Sequence, residues 1–470
     1  MTADGDAIEL VIRNGTVVNS AWHGRADVLI GAGRVRALVE PGTSVGPGHR
    51  PAEIDATGKL VLPGGVDPHC HVGFTSGAFT SLDNYRQATT AAVFGGTTTL
   101  VDFAIPRPGQ RPADVLASQR AKAGEGLCDS ALHGCVTTWD TDVPEQLRAM
   151  VAEGVVTIKM FTTYRGESMA DEDTILRVMT VLRELGGMVL IHCEANHIIE
   201  DVQRRAAAAG AIAAGYHHLT RPALAETASV AEILAIAESL SAPVYFVHQS
   251  TPEAVDLVAG ARGRGVRAYT ETVAHHLVLD EDAYAQPHPE RFVCCPPLRP
   301  RSTVDGLCGR VAMGQVATIG SDHCCYDTAQ KSQVCHDVRA MPNGLPGVET
   351  RLPVIFNELV VKRGLPVQRF VQAVSTNPAK LNGLYPRKGV VAPGADADLV
   401  IWDPSATRVV RASDLHMATD YTPYESHLVT GWPSTVLVGG RLVVHEDTLV
   451  DGTPAGRHLP ARPLGTGLIC

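Results

Sequence analysis

Several short apolar runs in this chain each stop on a single polar side chain suited to holding a metal or moving a proton. The first leads into His69-Cys70-His71. Later ones end on Lys159 (Val156–Phe161 segment), His192 (Val189–Glu194 segment), His248 (Tyr245–Ser250 segment) and Asp322 (Ile319–His323 segment). A continuously apolar strand is buried on both faces, which is the mark of a parallel sheet covered by helices. In a closed parallel barrel the C-terminal strand ends form the rim where active sites are built. The pattern therefore constrains both the fold and the place of the chemistry.

Between residues 60 and 320 eight strand candidates alternate with amphipathic helices. The strands are Leu60–Leu62 running on toward His71, Thr98–Phe103, Ala131–Val136, Val155–Phe161, Met188–His192, Val244–His248, Val266–Thr270 and Val316–Ile319. Helices are expected at Leu82–Phe94, Asp171–Leu185, Ala223–Ser239 and Thr251–Ala261. Eight such units predict a (β/α)8 TIM-type barrel. Both ends of the chain are β-rich. Ile8–Asn19 reads as a hairpin around Asn14-Gly15, Ala26–Val39 as one around Gly31-Ala32-Gly33, and Thr435–His445 as one around Gly439-Gly440, with a further strand at Ala397–Trp402. The expected organisation is a small β-sandwich assembled from residues 1–58 and 383–446 around a hydrolase barrel at 59–382. A Gly- and Pro-rich tail at 447–470 is expected to lie over a neighbour or to be loose.

The bulk composition sets limits. A length of 470 residues, 45% hydrophobic and 19% charged content describe an ordinary globular protein. A formal net charge of −10 offers no basic footprint for nucleic acid and argues against anionic membrane surfaces. No apolar stretch reaches the roughly 18 residues of a membrane span, and the polar start is unlike a signal peptide, so a cytoplasmic protein is expected. Eleven cysteines, an odd number with no Cys-x-x-Cys pair, argue against a disulfide framework or a zinc knuckle.

His69 and His71 alternate on a strand, so both side chains face the same way and can share an ion. A His-x-His alone is common on surfaces; its conjunction with His192, His248 and Asp322 at separate strand ends is not. Lys159 sharpens the reading, because an ammonium beside divalent cations is repelled unless CO2 converts it to an anionic carbamate. Four imidazoles, a carboxylated Lys159 and Asp322 make a two-metal centre. Histidine and carboxylate ligands suit Zn2+, with Mn2+ or Co2+ as substitutes. Asp322 is expected to take a proton from the attacking water and pass it to a leaving nitrogen.

These residues resemble the amidohydrolase superfamily, and within it the dihydropyrimidinase/hydantoinase family of cyclic amidases. The resemblance spans nearly the whole chain. It runs through Leu62-Pro-Gly-Gly-Val-Asp-Pro-His-Cys-His71, Gly95-Gly-Thr-Thr-Thr-Leu-Val-Asp-Phe-Ala-Ile-Pro106, Lys159-Met-Phe-Thr-Thr-Tyr164, Pro296-Pro-Leu-Arg299, Pro342-Asn-Gly344 and Ser375-Thr-Asn-Pro-Ala-Lys380. It implies a metal-dependent opening of a small cyclic ureide or imide: 5,6-dihydrouracil to N-carbamoyl-β-alanine, or a 5-substituted hydantoin to an N-carbamoyl amino acid. It further implies that Tyr164 hydrogen-bonds the oxyanion, that backbone groups of Cys295 and Asn343 hold the ring, and that the chain forms a homotetramer or dimer.

The chain departs from the family in places. Serine is common where Cys295 stands, and Val273-Ala-His-His-Leu277 differs from the usual stretch. Dihydroorotases carry a carboxylate-binding arginine two residues after the His-x-His; here that position is Gly73. Allantoinase, or another cyclic imide or ureide amidohydrolase, stays open as an alternative. So does, less favoured, a silent scaffold relative that has shed its ligands.

Overall fold

The computed structural model describes residues 7–45, 50–107 and 109–464. The polar start at residues 1–6 and the terminal Leu468-Ile469-Cys470 lie outside them. Eight parallel strands pair in sequence order: β1 (Gly65–Cys70), β2 (Thr97–Phe103), β3 (Asp129–Cys135), β4 (Thr157–Phe161), β5 (Met188–His192), β6 (Val244–Phe246), β7 (Ala268–Val273) and β8 (Thr318–Gly320). Every residue of these strands is buried. That accounts for the apolar runs in strands such as β4 and β5, since helices cover one face and barrel packing the other. Beyond β8 the chain closes the ring onto β1. Asp322 N donates to His69 O (3.0 Å) and His71 N to His323 O (2.8 Å). Arg351, fully buried, donates from Nη1 to Val66 O and Ile319 O and stitches the same seam.

Local signals place the helices. Asp171 caps Glu172–Leu185 by accepting from Thr174 N, and Gly186 ends that helix in the left-handed region. Thr251 caps Pro252–Gly263 in the same way, with proline in its first turn.

The termini form two sheets facing one core. Arg34–Val39, Asp27–Gly31, Leu10–Arg13 and Ala52–Asp55 make one. The other runs Thr448–Leu449, Arg441–His445, Leu428–Val438, Leu399–Val409, Leu60–Pro63, Thr16–Val18 and His23–Arg25. Ile12, Ile30, Val17, Val61, Leu399 and Leu437 from both sheets share one buried cluster.

Two expected elements differ. Asn14-Gly15 is not a hairpin turn: Leu10–Arg13 and Thr16–Val18 belong to different sheets. Asn14 takes φ 62°, and a Cβ on Gly15 would meet Val61 Cγ2 at 2.5 Å, so the dipeptide crosses between sheets at a close approach. The run from Leu60 toward His71 is two strands. Leu60–Pro63 pairs with Leu399–Val409 in the terminal sheet, and Gly64-Gly65 lets the chain step into β1 (a Cβ on Gly64 would strike Thr98).

The described part of the tail is not loose. Residues 455–464 follow the N-terminal side of the barrel of their own chain: Ser130 N donates to Arg457 O, Ala461 N to Gly154 O and Leu464 N to Gly186 O. Among the described residues no helix is long and apolar enough to cross a membrane.

Candidate active site

All nine residues singled out in the sequence line one cavity of about 280 Å3 at the C-terminal end of the barrel: His69, His71, Lys159, Tyr164, His192, His248, Cys295, Asp322 and Asn343. His69 is the penultimate residue of β1, Lys159 the middle of β4 and His192 the last of β5; His248 and Asp322 follow β6 and β8 by two residues. Tyr164, His248 and Asp322 sit at φ 69°, 40° and 49°. Each such backbone costs about 1–3 kcal/mol and persists only where its surroundings hold it. Here the holders are visible. Asp322 N donates to His69 O, His248 N to Glu271 Oε1 (3.1 Å), and the Tyr164 carbonyl accepts from the N–H groups of Glu167, Ser168 and Met169.

The imidazoles are oriented by buried carboxylates. His69 Nδ1 donates to Glu271 Oε1 (2.7 Å) and His192 Nε2 to Glu194 Oε2 (2.7 Å). Such a partner fixes the tautomer and leaves the other ring nitrogen as a lone pair, the usual arrangement behind a metal-ligating histidine. The freed His69 Nε2 faces Asp322 Oδ1 at 3.1 Å, and His71 Nε2 faces the same oxygen at 3.3 Å. Lone pairs this close to a carboxylate oxygen need a proton or a cation between them. His248 Nδ1 is likewise buried, with no hydrogen-bond partner among the described residues. His69, His71 and Asp322 thus form a group able to hold a metal ion.

Charge in the cavity follows the same logic. Burial pulls the His69 imidazolium down, but Asp322 and Glu271 more than reverse it, to about 8. His71, burdened by burial, falls to about 4. Burial lowers the Lys159 ammonium to about 8 against the pull of Asp322 and Glu271; its Nζ lies 4.9 and 5.0 Å from the Phe103 and Phe161 ring centres. Asp322 is pushed up by burial, yet His69 and His71 hold its carboxyl well below the usual range. Burial raises the Cys295 and Cys324 thiols to about 11 and 12, so neither is a thiolate nucleophile near neutrality.

A second buried group, Asp83, His323 and Cys325, also has metal-like spacing. There both imidazole nitrogens are occupied: His323 Nε2 donates to Asp83 Oδ2 (2.6 Å) and Nδ1 accepts from Gly347 N (3.1 Å). It fastens the loop after β8 rather than offering a lone pair.

Comparison with known proteins agrees with this geometry. The amidohydrolase family model matches residues 60–443. The chain belongs to the amidohydrolase family. It is 37% identical to a D-hydantoinase of Ralstonia pickettii over 97% of this chain and 99% of that one. It is 36% identical to a dihydropyrimidinase of Rattus norvegicus over 97% and 89%. Among solved structures, a dihydropyrimidinase from Brevibacillus agri superposes with a TM-score of 0.94 at 35% identity, covering 97% of this chain and 99% of that chain.

Several residues that build this amidohydrolase site escaped the sequence reading. Glu271 stands alone inside a buried strand and accepts from Tyr245 OH (2.7 Å) as well as from His69 and His248. A lone carboxylate in such a strand is itself a signal, because an unpaired buried charge is too costly to keep. Glu194, two residues after His192, is held ionised by Arg221, whose Nη2 donates to it at 2.6 Å. Lys331 is fully buried and donates from Nζ to Val293 O (2.9 Å) and Gly344 O (2.6 Å). It ties together the two segments that carry Cys295 and Asn343, whose Sγ and Oδ1 meet at 3.0 Å. Lys331→Met is expected to raise KM about tenfold or more, the scale of one charge-assisted hydrogen bond, with kcat changed only a few-fold and metal content intact. An unchanged KM would show that these segments hold without it.

Proposed function

We propose that this chain is a two-metal hydrolase that opens a cyclic ureide or imide, with His69, His71, Lys159, His192, His248 and Asp322 as ligands. The observation that carries the reading is the convergence of those six side chains, Tyr164, Cys295 and Asn343 on one small cavity, with imidazole lone pairs freed by Glu271 and Glu194. The names of the relatives, D-hydantoinase and dihydropyrimidinase, point to the same ring class. Carboxylated Lys159 would serve as an anionic ligand beside the imidazoles, and the ions held there would be Zn2+, with Mn2+ or Co2+ as substitutes.

Divalent cations held there supply Lewis acidity, acidifying the attacking water and polarising the ring carbonyl. The chain does the rest. Asp322, ionised and beside His69 and His71, accepts the water proton and delivers it to the departing ring nitrogen. Tyr164, whose hydroxyl burial keeps protonated, donates to the carbonyl oxygen as it gains charge. Backbone groups at Cys295 and Asn343 hold the planar ring. Overall, water adds across the ring C–N bond: hydroxyl to the acyl carbon, hydrogen to the nitrogen. With 5,6-dihydrouracil the product is N-carbamoyl-β-alanine; with a hydantoin it is an N-carbamoyl amino acid. The enzyme is proposed to work in the cytoplasm as a dimer or tetramer, a state that light scattering in solution reads directly.

The test is ring opening of 5,6-dihydrouracil and hydantoin by the zinc-loaded protein, followed by loss of ultraviolet absorbance. Turnover of either ring that a chelator abolishes and zinc restores is the expected result. Turnover indifferent to the chelator would sink the metal reading, and two bound metals without turnover of either ring would shift the substrate to allantoin or other imides.

A further inference from the structure

A second cavity, of about 670 Å3, adjoins the catalytic one and shares Phe74, Thr75, Ile105 and Arg107 with it. Its charge is unlike that of the molecule. The chain holds 50 acidic and 40 basic residues, yet this cavity is lined by Arg107, Arg111 and Lys122 against one acid, Asp114. Several other surface arginines sit on carboxylates, as Arg165 does on Glu200, Arg177 on Asp173 and Arg310 on Asp256. Arg107 and Arg111 make no ion pair among the described residues, although Asp114 is three residues from Arg111. Lys122 Nζ gives one hydrogen bond, to Gln119 Oε1 (2.7 Å), and keeps two donors.

The backbone adds to this field. Gly109, Gln110 and Arg111 line the cavity where the helix Pro112–Lys122 begins. Arg111 is its N-cap residue and supplies no capping acceptor, so the positive end of the helix faces the same space. Asp114 in the first turn offsets part of it. Glu167 lies on the catalytic cavity and not on the second one, so an arm turning past Phe74 and Ile105 leaves that carboxylate behind.

We propose that this second cavity is a subsite for an anionic substituent, so that the preferred substrate is a cyclic ureide carrying a carboxylate on a short exocyclic arm. Arg107, on the wall common to both cavities, meets the carboxylate first, and its planar fork suits two-oxygen recognition. Arg111 and Lys122 raise the local concentration of such substrates. The proposal rests on the ring-opening reading above and extends it from ring to substituent. Phe74 and Ile105 then pack the arm's methylene, not an aromatic group.

The experiment compares hydantoin, 5-carboxymethylhydantoin and its neutral isostere 5-carbamoylmethylhydantoin on the zinc-loaded enzyme. The expected result is a kcat/KM for the acid about tenfold above that of the amide, an advantage that shrinks with added salt. Arg107→Ala is expected to erase the acid-over-amide advantage, read as a ratio within the same variant, and Arg107→Glu to reverse the order. Equal rates for acid and amide, or a ratio indifferent to Arg107→Glu, overturns the subsite. Failure to open any of the three rings overturns the ring-opening reading instead. The acid-to-amide ratio of calorimetric Kd values on the same protein and on Arg107→Glu then judges the subsite alone.

Discussion

Lys159→Ala is expected to lose bound metal and turnover together. The side chain stands mid-strand on β4 with its amine in the cavity between two phenylalanine rings and, among the described residues, no carboxylate at ion-pair distance. Burial works against a permanent ammonium there, and the two rings, Asp322 and Glu271 offset that only in part. Burial lowers its pKa to about 8, so a neutral amine is populated as the pH rises through that value, and the neutral amine is the form that adds CO2. Once carboxylated, the group would carry a negative charge and two oxygens into a ring of imidazoles and would serve there as an anionic metal ligand. Removing an outer partner of a metal ligand typically costs 10–100-fold in affinity, so removing the ligand itself is expected to cost more than about 100-fold. Metal analysis should fall from two ions per chain to fewer than one, with the circular dichroism of the barrel retained. Acetate or propionate at tens of millimolar is expected to return part of both metal and rate, since a free carboxylate can occupy the vacated space. A mutant with full metal content and full turnover would sink that role for Lys159.

Why the sequence revealed the polar side chains that meet in the cavity but not their supports is a matter of distance along the chain. His192 announces itself by ending an apolar run and Lys159 by interrupting one. Glu271 supports His69 from 202 residues away and Lys331 bonds Val293 from 38, and no local period encodes either pairing. The barrel was readable because most of its buried parallel strands carry apolar runs, and helix caps such as Asp171 and Thr251 are local chemistry. The terminal sheets were harder. Asn14-Gly15 has the composition of a hairpin turn, yet its flanking strands pair with Asp27–Gly31 and Leu60–Pro63 instead. Turn residues record a backbone conformation, here φ 62° at Asn14, and that conformation serves a crossing between sheets as well as a hairpin. The positive φ of His248 and Asp322 was invisible for the opposite reason. Neither residue type demands it, and only the hydrogen bonds to Glu271 and His69 enforce it.

Asp322→Asn tests the chemistry apart from the scaffold. Asparagine tolerates the left-handed backbone at φ 49° about as well as aspartate, and the bond from the residue 322 N–H to His69 O is a backbone interaction that the substitution leaves in place. The fold is therefore expected to survive. What disappears is the negative charge that faces His69 and His71 at 3.1 and 3.3 Å, and with it the group that accepts a proton. An amide oxygen can still approach a cation but cannot carry a proton at neutral pH. Removal of a positioned acid–base group costs about 10²–10⁴ in rate, so kcat is expected to fall by that factor while KM for the ring changes little. Metal content measured on the same sample separates the two duties of the residue. Retained metal with lost kcat assigns the proton transfer to Asp322. A parallel loss of both makes it chiefly a ligand, and wild-type rates in the mutant would place the proton on another group, with His71, whose pKa lies near 4, the next to replace.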